Sequence, residues 1–320
     1  MQDVCLFAHY DKDGKVDDYV LRYLHELRQL NFSVVFISTA RLGSTEVARL
    51  NVDCDDVILR ENAGLDFGSW SAGFAKHGAR IDGRLLLAND SVYGPIGGLR
   101  PAFERLTREP ADFYGFVESA EITPHPQSWF LLFEPRVVRH PAFAQALEQP
   151  FVAMSKKQII ARGEVGTSQR LLVAGFRYQA LYKNDRTIPA RHAANPMLLF
   201  WREVLFDCGV PFLKIELLRD NPFGVEDAAI ILQSVERIDH ASCAAIKAHL
   251  ARMSGPGSHH RAQRPQPARL RYALIRNRYR FTRDDHRLKV EFDAVMLELM
   301  SGLLIVWRAL ARLFSFATLY

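Results

Sequence analysis

The chain opens as alternating blocks, short apolar runs and longer stretches with helical spacing. Val4-Cys5-Leu6-Phe7-Ala8 turns polar at His9-Tyr10, which predicts a first strand over 4–10 followed by a turn from Asp11 to Gly14. Val16, Val20, Leu21, Tyr23, Leu24 and Leu27 then recur on one helical face, predicting a helix over 16–29. SVVFIST (33–39) is rich in β-branched and aromatic residues and reads as a second strand, DVILREN (56–62) as a third and RLLLA (84–88) as the next, with a short helix over 68–77 between the last two. Strands alternating with helices predict an α/β fold whose sheet is mostly parallel and covered on both faces.

The second half is more mixed. Residues 111–117 and 128–133 read as strands, and 141–149 and 156–162 as helices. GTSQRLLVAGF (166–176) predicts a helix capped by Thr167 or Ser168 and stopped by Gly175, and PMLLFWREVLFDCG (196–209) a helix between Pro and Gly. PFLKIELLRDNP (211–222) precedes helical patterns at 226–236 and 239–252. Ser254–Pro267 (SGPGSHHRAQRPQP) has the composition of a linker, which predicts a globular body over 1–253, a linker over 254–267 and a tail over 268–320.

Charge sharpens this division. The whole chain carries a formal +5, yet residues 254–320 hold 12 Lys/Arg against 5 Asp/Glu, so the body is close to neutral and has no charge reason to seek nucleic acid. The tail interleaves arginines with Leu, Tyr, Ile and Phe and then becomes apolar, but Glu298, Arg308 and Arg312 interrupt it. It is too short for a spanning helix and fits an amphipathic helix at an anionic membrane surface, or one packed on the body or on a second copy of the chain. Cys5, Cys54, Cys208 and Cys243 are far apart, which is neither a zinc pattern nor a disulfide framework. No basic region precedes a long apolar run at the start, so the expected location is cytoplasmic.

Several strand ends carry chemistry. LLLANDSVYGP (85–95) delivers Asn89, Asp90 and Ser91 to the end of an apolar strand, where open α/β sheets bind ligands; the same residues are good turn formers. Hard oxygens there suit a divalent cation. Asn62, Gly64 and Asp66 follow the third strand, where glycine allows close backbone approach and Asp66 could equally cap a helix. His125 and Gln127 beside Trp129 suit sugar contacts, the alternative being a structural role for the lone histidine. Glu164, ahead of a helix, is either a general base or a favourable charge at a helix start. Lys214 and Arg219 could bind a diphosphate or be surface charges.

FAHYDKDGKVDDYVLRYLHEL, RENAGLDFGSW, LLLANDSVYGP, HPQSWFLLF, GEVGTSQRLLVAGF and PFLKIELLRDNP occur in this order, and together resemble the rhamnan synthesis F family of bacterial cell-surface polysaccharide assembly over roughly residues 4–225. The resemblance implies a GT-A-like, Rossmann-type nucleotide-sugar domain, with the helical C-terminal tail outside it. The order is also similar to that of family-2 glycosyltransferases. There Asn62 and Gly64 match an Asn-x-Gly stretch, and Ala88-Asn89-Asp90 falls at a metal-binding Asp-x-Asp motif with only its second Asp. Glu164-Val165 takes the place of a Glu-Asp pair, with Arg170 and Gly175 matching the helix that follows.

The resemblance implies a hexosyltransferase that uses dTDP-rhamnose and a lipid-linked glycan acceptor, as in O-antigen or lipopolysaccharide assembly, with Mg²⁺ or Mn²⁺ on Asp90 and Glu164 as base. A tail that touches the inner leaflet would place the enzyme beside that acceptor, peripherally on the inner face of the cell membrane. The competing expectation is a non-catalytic nucleotide- or glycan-binding component of an assembly complex, and a third is a membrane or oligomer scaffold with a globular head.

Overall fold

A computed structural model describes residues 2–120, 122–184, 195–222 and 227–254. The tail over 268–320 lies outside the described residues, as does the linker except for Ser254. The described residues form an α/β body around an eight-stranded sheet, with a separate two-stranded ribbon.

The first half follows the sequence pattern closely. β1 (Val4–His9), β2 (Ser33–Ser38), β3 (Asp56–Leu59) and β4 (Leu85–Asn89) are all parallel, in the order β3-β2-β1-β4. Between them lie α1 (Asp18–Gln29), α2 (Ser44–Leu50) and α3 (Leu65–His77). Successive strand side chains point to opposite faces, so every second residue joins one of two cores. Cys5, Phe7, Leu86 and Ala88 pack with α1 residues Tyr19, Val20, Tyr23 and Leu24 on one face. Leu6, Ala8, Leu85 and Leu87 pack with Phe67 and Trp70 of α3 on the other. Trp70 Nε1 also donates to the Ala88 carbonyl at 3.1 Å, which ties α3 to the end of β4.

Beyond β4 the sheet is mixed. After the short β5 (Val92–Tyr93) and the helix α4 (Arg100–Leu106) come β6 (Phe113–Ser119), β7 (His125–Pro126), β8 (Phe130–Phe133) and β9 (Tyr178–Tyr182). β8 runs antiparallel between β4 and β6, β7 antiparallel to β6, and β9 parallel to it. β10 (Leu213–Lys214) pairs antiparallel with β5.

Some boundaries differ from the pattern. α3 begins at Leu65 and not at Gly68, because Gly64 in the left-handed region (φ 79°) turns the chain early. The 166–176 helix is not capped by Thr167 or Ser168. A wider π-type turn at Ile160–Val165 runs straight into Gly166–Val173, and both hydroxyl residues are buried in it. The 196–209 pattern divides into Pro196–Leu199 and a π-type turn at Glu203–Asp207. The last described helix, His240–Ser254, packs on α1. Among the described residues no helix is long and apolar enough to cross a membrane.

Candidate functional site

The strand order locates the cleft. From β1 the chain moves outward to β2 and β3, then returns to the other side of β1 as β4. The segments that leave β1 and β4 therefore diverge at their carboxyl ends, the crevice where open α/β sheets take ligands. A cleft of about 970 Å³ opens there. Asn62, Asp66, Asn89, Asp90, Ser91, His125, Gln127, Glu164, Lys214 and Arg219 all line it, although they are spread over some 160 residues of sequence. Gly64 does not line it. A Cβ on Gly64 would lie 3.1 Å from the Phe151 and Val152 backbone, so this glycine lets the start of α3 pack there.

The segment after β4 is held by a hydrogen-bond chain. Lys214 Nζ donates to Ser91 Oγ at 3.0 Å, and Ser91 Oγ donates to Asn89 Oδ1 at 2.6 Å. Asn89 Oδ1 also accepts from the Ser91 backbone N–H at 3.1 Å, and Asn89 Nδ2 donates to Asp66 Oδ2 at 2.7 Å. Asp66 is therefore not the N-cap of α3; it sits in the first turn and faces the end of β4. Burial pushes its carboxyl up to about 6, against the opposing pull of Lys214 and the Asn89 bond.

Asp90 lies across the crevice from β1. Its Oδ2 accepts from the Tyr10 N–H at 3.1 Å, and His9 Nε2 is 3.8 Å away. Burial, reinforced by the Asp66 carboxylate, pushes Asp90 well above the usual carboxylate range. Burial pulls His9 down to about 4, so His9 is neutral beside it. Ser38 Oγ accepts from the Ala40 N–H at 3.0 Å and meets His9 Nδ1 at 2.9 Å. A hydroxyl that donates to Nδ1 leaves the His9 proton on Nε2, facing Asp90.

Glu164 comes from the π-type turn. A Cβ on Gly163 would lie 2.9 Å from the Phe67 ring, so the glycine brings this turn close against α3. Glu164 Oε1 accepts from the Ser128 N–H at 2.9 Å. His125 Nδ1 lies 2.7 Å from the Thr123 carbonyl, which can only accept, so Nδ1 carries the proton. The other ring nitrogen, an acceptor in the neutral ring, is 3.9 Å from Glu164 Oε1. Gln127 has both ends of its amide engaged: Oε1 accepts from Trp129 Nε1 and Nε2 donates to Asn195 Oδ1, each at 2.9 Å. Arg219 stands at the edge, paired with Asp220 at 2.7 Å.

Sequence reasoning missed the wall that β1 contributes. Tyr10, Asp11, Asp17 and Tyr19 line the cleft, as do His249 and Met253 of the last helix. Tyr19 OH donates to the Asp90 carbonyl at 3.2 Å. Arg252 holds Asp11 at 2.6 Å and Asp13 at 2.9 Å, and also pairs with Asp17. The available signal was the run Asp11, Asp13, Asp17, Asp18 just after an apolar strand.

The family model of rhamnan synthesis protein F matches residues 34–314. The chain belongs to that family. The rhamnan synthesis F match runs on through the tail, which the 4–225 resemblance left outside, and begins after α1. The virulence protein VirA of Vibrio anguillarum is 28% identical over 265 residues, covering 69% of this chain and 81% of VirA. Among solved structures, the glycosyltransferase GlyE of Streptococcus pneumoniae TIGR4 is similar at a TM-score of 0.37 and 9% identity, over 79% of this chain and 64% of its own. A 4-diphosphocytidyl-2C-methyl-D-erythritol synthase is similar at 0.36 and 10%, over 64% of this chain and 98% of its own.

The donor set of this rhamnan synthesis F protein does not assemble the cation site that an Asp-x-Asp motif implies. Asn89 and Ser91, the residues flanking Asp90, have their side-chain oxygens committed to each other, and Ser91 Oγ also accepts from an ammonium. Asp90 is the single carboxylate that β4 itself delivers, and Asp66, which faces it from α3, has Oδ2 engaged by Asn89 Nδ2. Among the described residues no group of three His, Cys, Asp or Glu side chains converges as a metal site would.

Proposed function

We propose that this protein is a glycosyltransferase of cell-surface polysaccharide synthesis that takes its sugar from a nucleoside diphosphate donor. The observation that carries this reading is the convergence at the β1/β4 switch point: Asn62, Asp66, Asn89, Asp90, Ser91, His125, Glu164 and Lys214 line one cleft of about 970 Å³. That volume suits a drug-sized or larger ligand, and the lining offers both acceptors for sugar hydroxyls and a cation for phosphate. Membership of the rhamnan synthesis F family supports L-rhamnose as the sugar, dTDP-rhamnose as the donor and a lipid-linked glycan as the acceptor. An acceptor of that kind favours a peripheral position on the inner face of the membrane.

The reaction is a direct displacement with inversion. An acceptor hydroxyl oxygen attacks C1 of the sugar while the bond from C1 to the diphosphate oxygen breaks. The bonding pair leaves on the diphosphate, and the hydroxyl proton goes to Glu164. The Ser128 N–H fixes Glu164 at 2.9 Å, and His125 Nε2 stands 3.9 Å from it. Asn62, Asp66 and Asp90 face the donor, Gln127 forms a fixed wall for the sugars, and Lys214 with Arg219 faces the diphosphate.

The experiment offers the full chain a panel of nucleoside diphosphate sugars, dTDP-rhamnose among them, and scores nucleoside diphosphate release with and without a lipid-linked acceptor. Release from one donor, stimulated by acceptor, is the expected result. Nucleotide binding without release from any donor would move the protein to the non-catalytic class.

A further inference from the structure

Lys214 is the unusual residue of the cleft. β10 pairs with β5 at the register Lys214 to Val92, which brings its side chain onto the segment that leaves β4. An ammonium has three N–H donors. One goes to Ser91 Oγ at 3.0 Å. Glu164, Asp66, Glu216 and Asp90 act on it only from a distance, and among the described residues none of them is in ion-pair contact with it. A half-buried ammonium that lacks a carboxylate partner is costly unless an anion completes it. Here the remaining donors face a cleft large enough for a nucleoside diphosphate.

The same contact closes the alternative. Lys214 to Ser91, Ser91 to Asn89 and Asn89 to Asp66 form one continuous hydrogen-bond chain across the carboxyl end of β4. It takes up the two oxygens beside Asp90 that a cation would need. A divalent ion on those oxygens would also stand close to an ammonium, and in a poorly solvated cleft two cations at such range repel strongly.

We propose that the Lys214 ammonium, and not a divalent cation, supplies the positive charge for the donor's diphosphate, so that donor binding needs no metal. This rests on the reading of the cleft as a nucleoside diphosphate sugar site and adds what holds the leaving group there. As the bond from C1 to oxygen breaks, charge grows on the β-phosphate oxygens. Lys214, held in place by Ser91 before the donor arrives, stabilises that charge without rearranging.

The test is calorimetric titration of the full chain with dTDP, UDP and GDP, first in EDTA and then in excess Mg²⁺. The tightest of the three is expected to bind with Kd values within about twofold in the two conditions. K214M should weaken it by about tenfold or more, and K214R should keep part of the affinity. Circular dichroism of both variants checks that the body is folded, and the wild-type comparison of EDTA with Mg²⁺ needs no variant. Binding that appears only with Mg²⁺, or a folded K214M that binds like wild type, overturns the proposal and leaves the cleft a nucleotide site. No binding of any of the three in either condition overturns both the proposal and the donor-site reading.

Discussion

Asp90 is the residue on which the two halves of the crevice meet, since the backbone after β1 donates to a side chain from the end of β4. Replacing it with Ala removes the side chain that accepts from the Tyr10 N–H and faces the donor, so in steady-state kinetics donor KM should rise more than kcat falls, with the sheet still folded. Glu164→Gln keeps an oxygen for the Ser128 N–H but cannot take a proton, so kcat should fall by about 10²–10⁴ with donor KM nearly unchanged. Asp66 and His9 give opposite pH dependences. The raised Asp66 carboxyl holds a proton in the folded state that the unfolded chain has released, so its contribution to stability is lost as pH rises toward about 6. The lowered His9 stays neutral where the unfolded chain is charged, so its contribution is lost as pH falls from 6.5 toward about 4. The two slopes overlap and oppose. Urea denaturation across this window should therefore show stability rising with pH more steeply in D66N than in wild type; parallel profiles would remove the buried-carboxyl account of Asp66. The sequence showed Asp90 because an apolar run ended on it. It did not show His9 and Tyr10, whose relation to Asp90 exists only once β1 and β4 are neighbours.

At the level of elements, the apolar period predicted what packing enforces. β1, β2, β4 and α1 were visible because both faces of the sheet are buried there and every residue of β4 must be apolar or hydrogen-bonded. The short pieces were not. β5 and β10 have two residues each and are defined by pairing with one another, which no local pattern encodes. α2 and α4, seven residues each, also went unread, and of the π-type turn at Ile160–Val165 only the part to Arg162 was read, as the end of a helix over 156–162. Gly64 illustrates the same limit, since a glycine that reads as a ligand contact is shaped by packing. Gly64→Ala forces a side chain into the left-handed region against the Phe151 and Val152 backbone, and should cost about 1–3 kcal/mol in chemical denaturation. A neutral result there would mean that the start of α3 relaxes freely.

Over the whole molecule, the last described helix is fastened to the β1 side of the cleft by Arg252, with His249 3.8 Å from Asp17 beside it. Arg252 faces Asp11, Asp13 and Asp17, with its own side chain 25% exposed. R252A leaves three carboxylates without their cation and should lower stability by about 1–3 kcal/mol, more at low salt than at high salt, the exposed Asp13 contributing little. Stability that is unchanged at low salt would show the helix to be held by its other contacts, among them the Tyr93–His249 and Arg22–Ser242 hydrogen bonds and its packing on α1. The family match extends past this helix through residue 314, so the rhamnan synthesis F unit includes the basic tail that the motif order left out. A β1/β4 crevice that binds and cleaves a nucleoside diphosphate sugar depends on Glu164 to take the acceptor proton. The decisive comparison is turnover of the preferred donor onto a lipid-linked glycan acceptor by wild type and E164Q side by side. Acceptor-stimulated nucleoside diphosphate release by wild type and a loss of about 10²–10⁴ in a folded E164Q are expected; equal release by the two proteins would show that the donor is cleaved elsewhere.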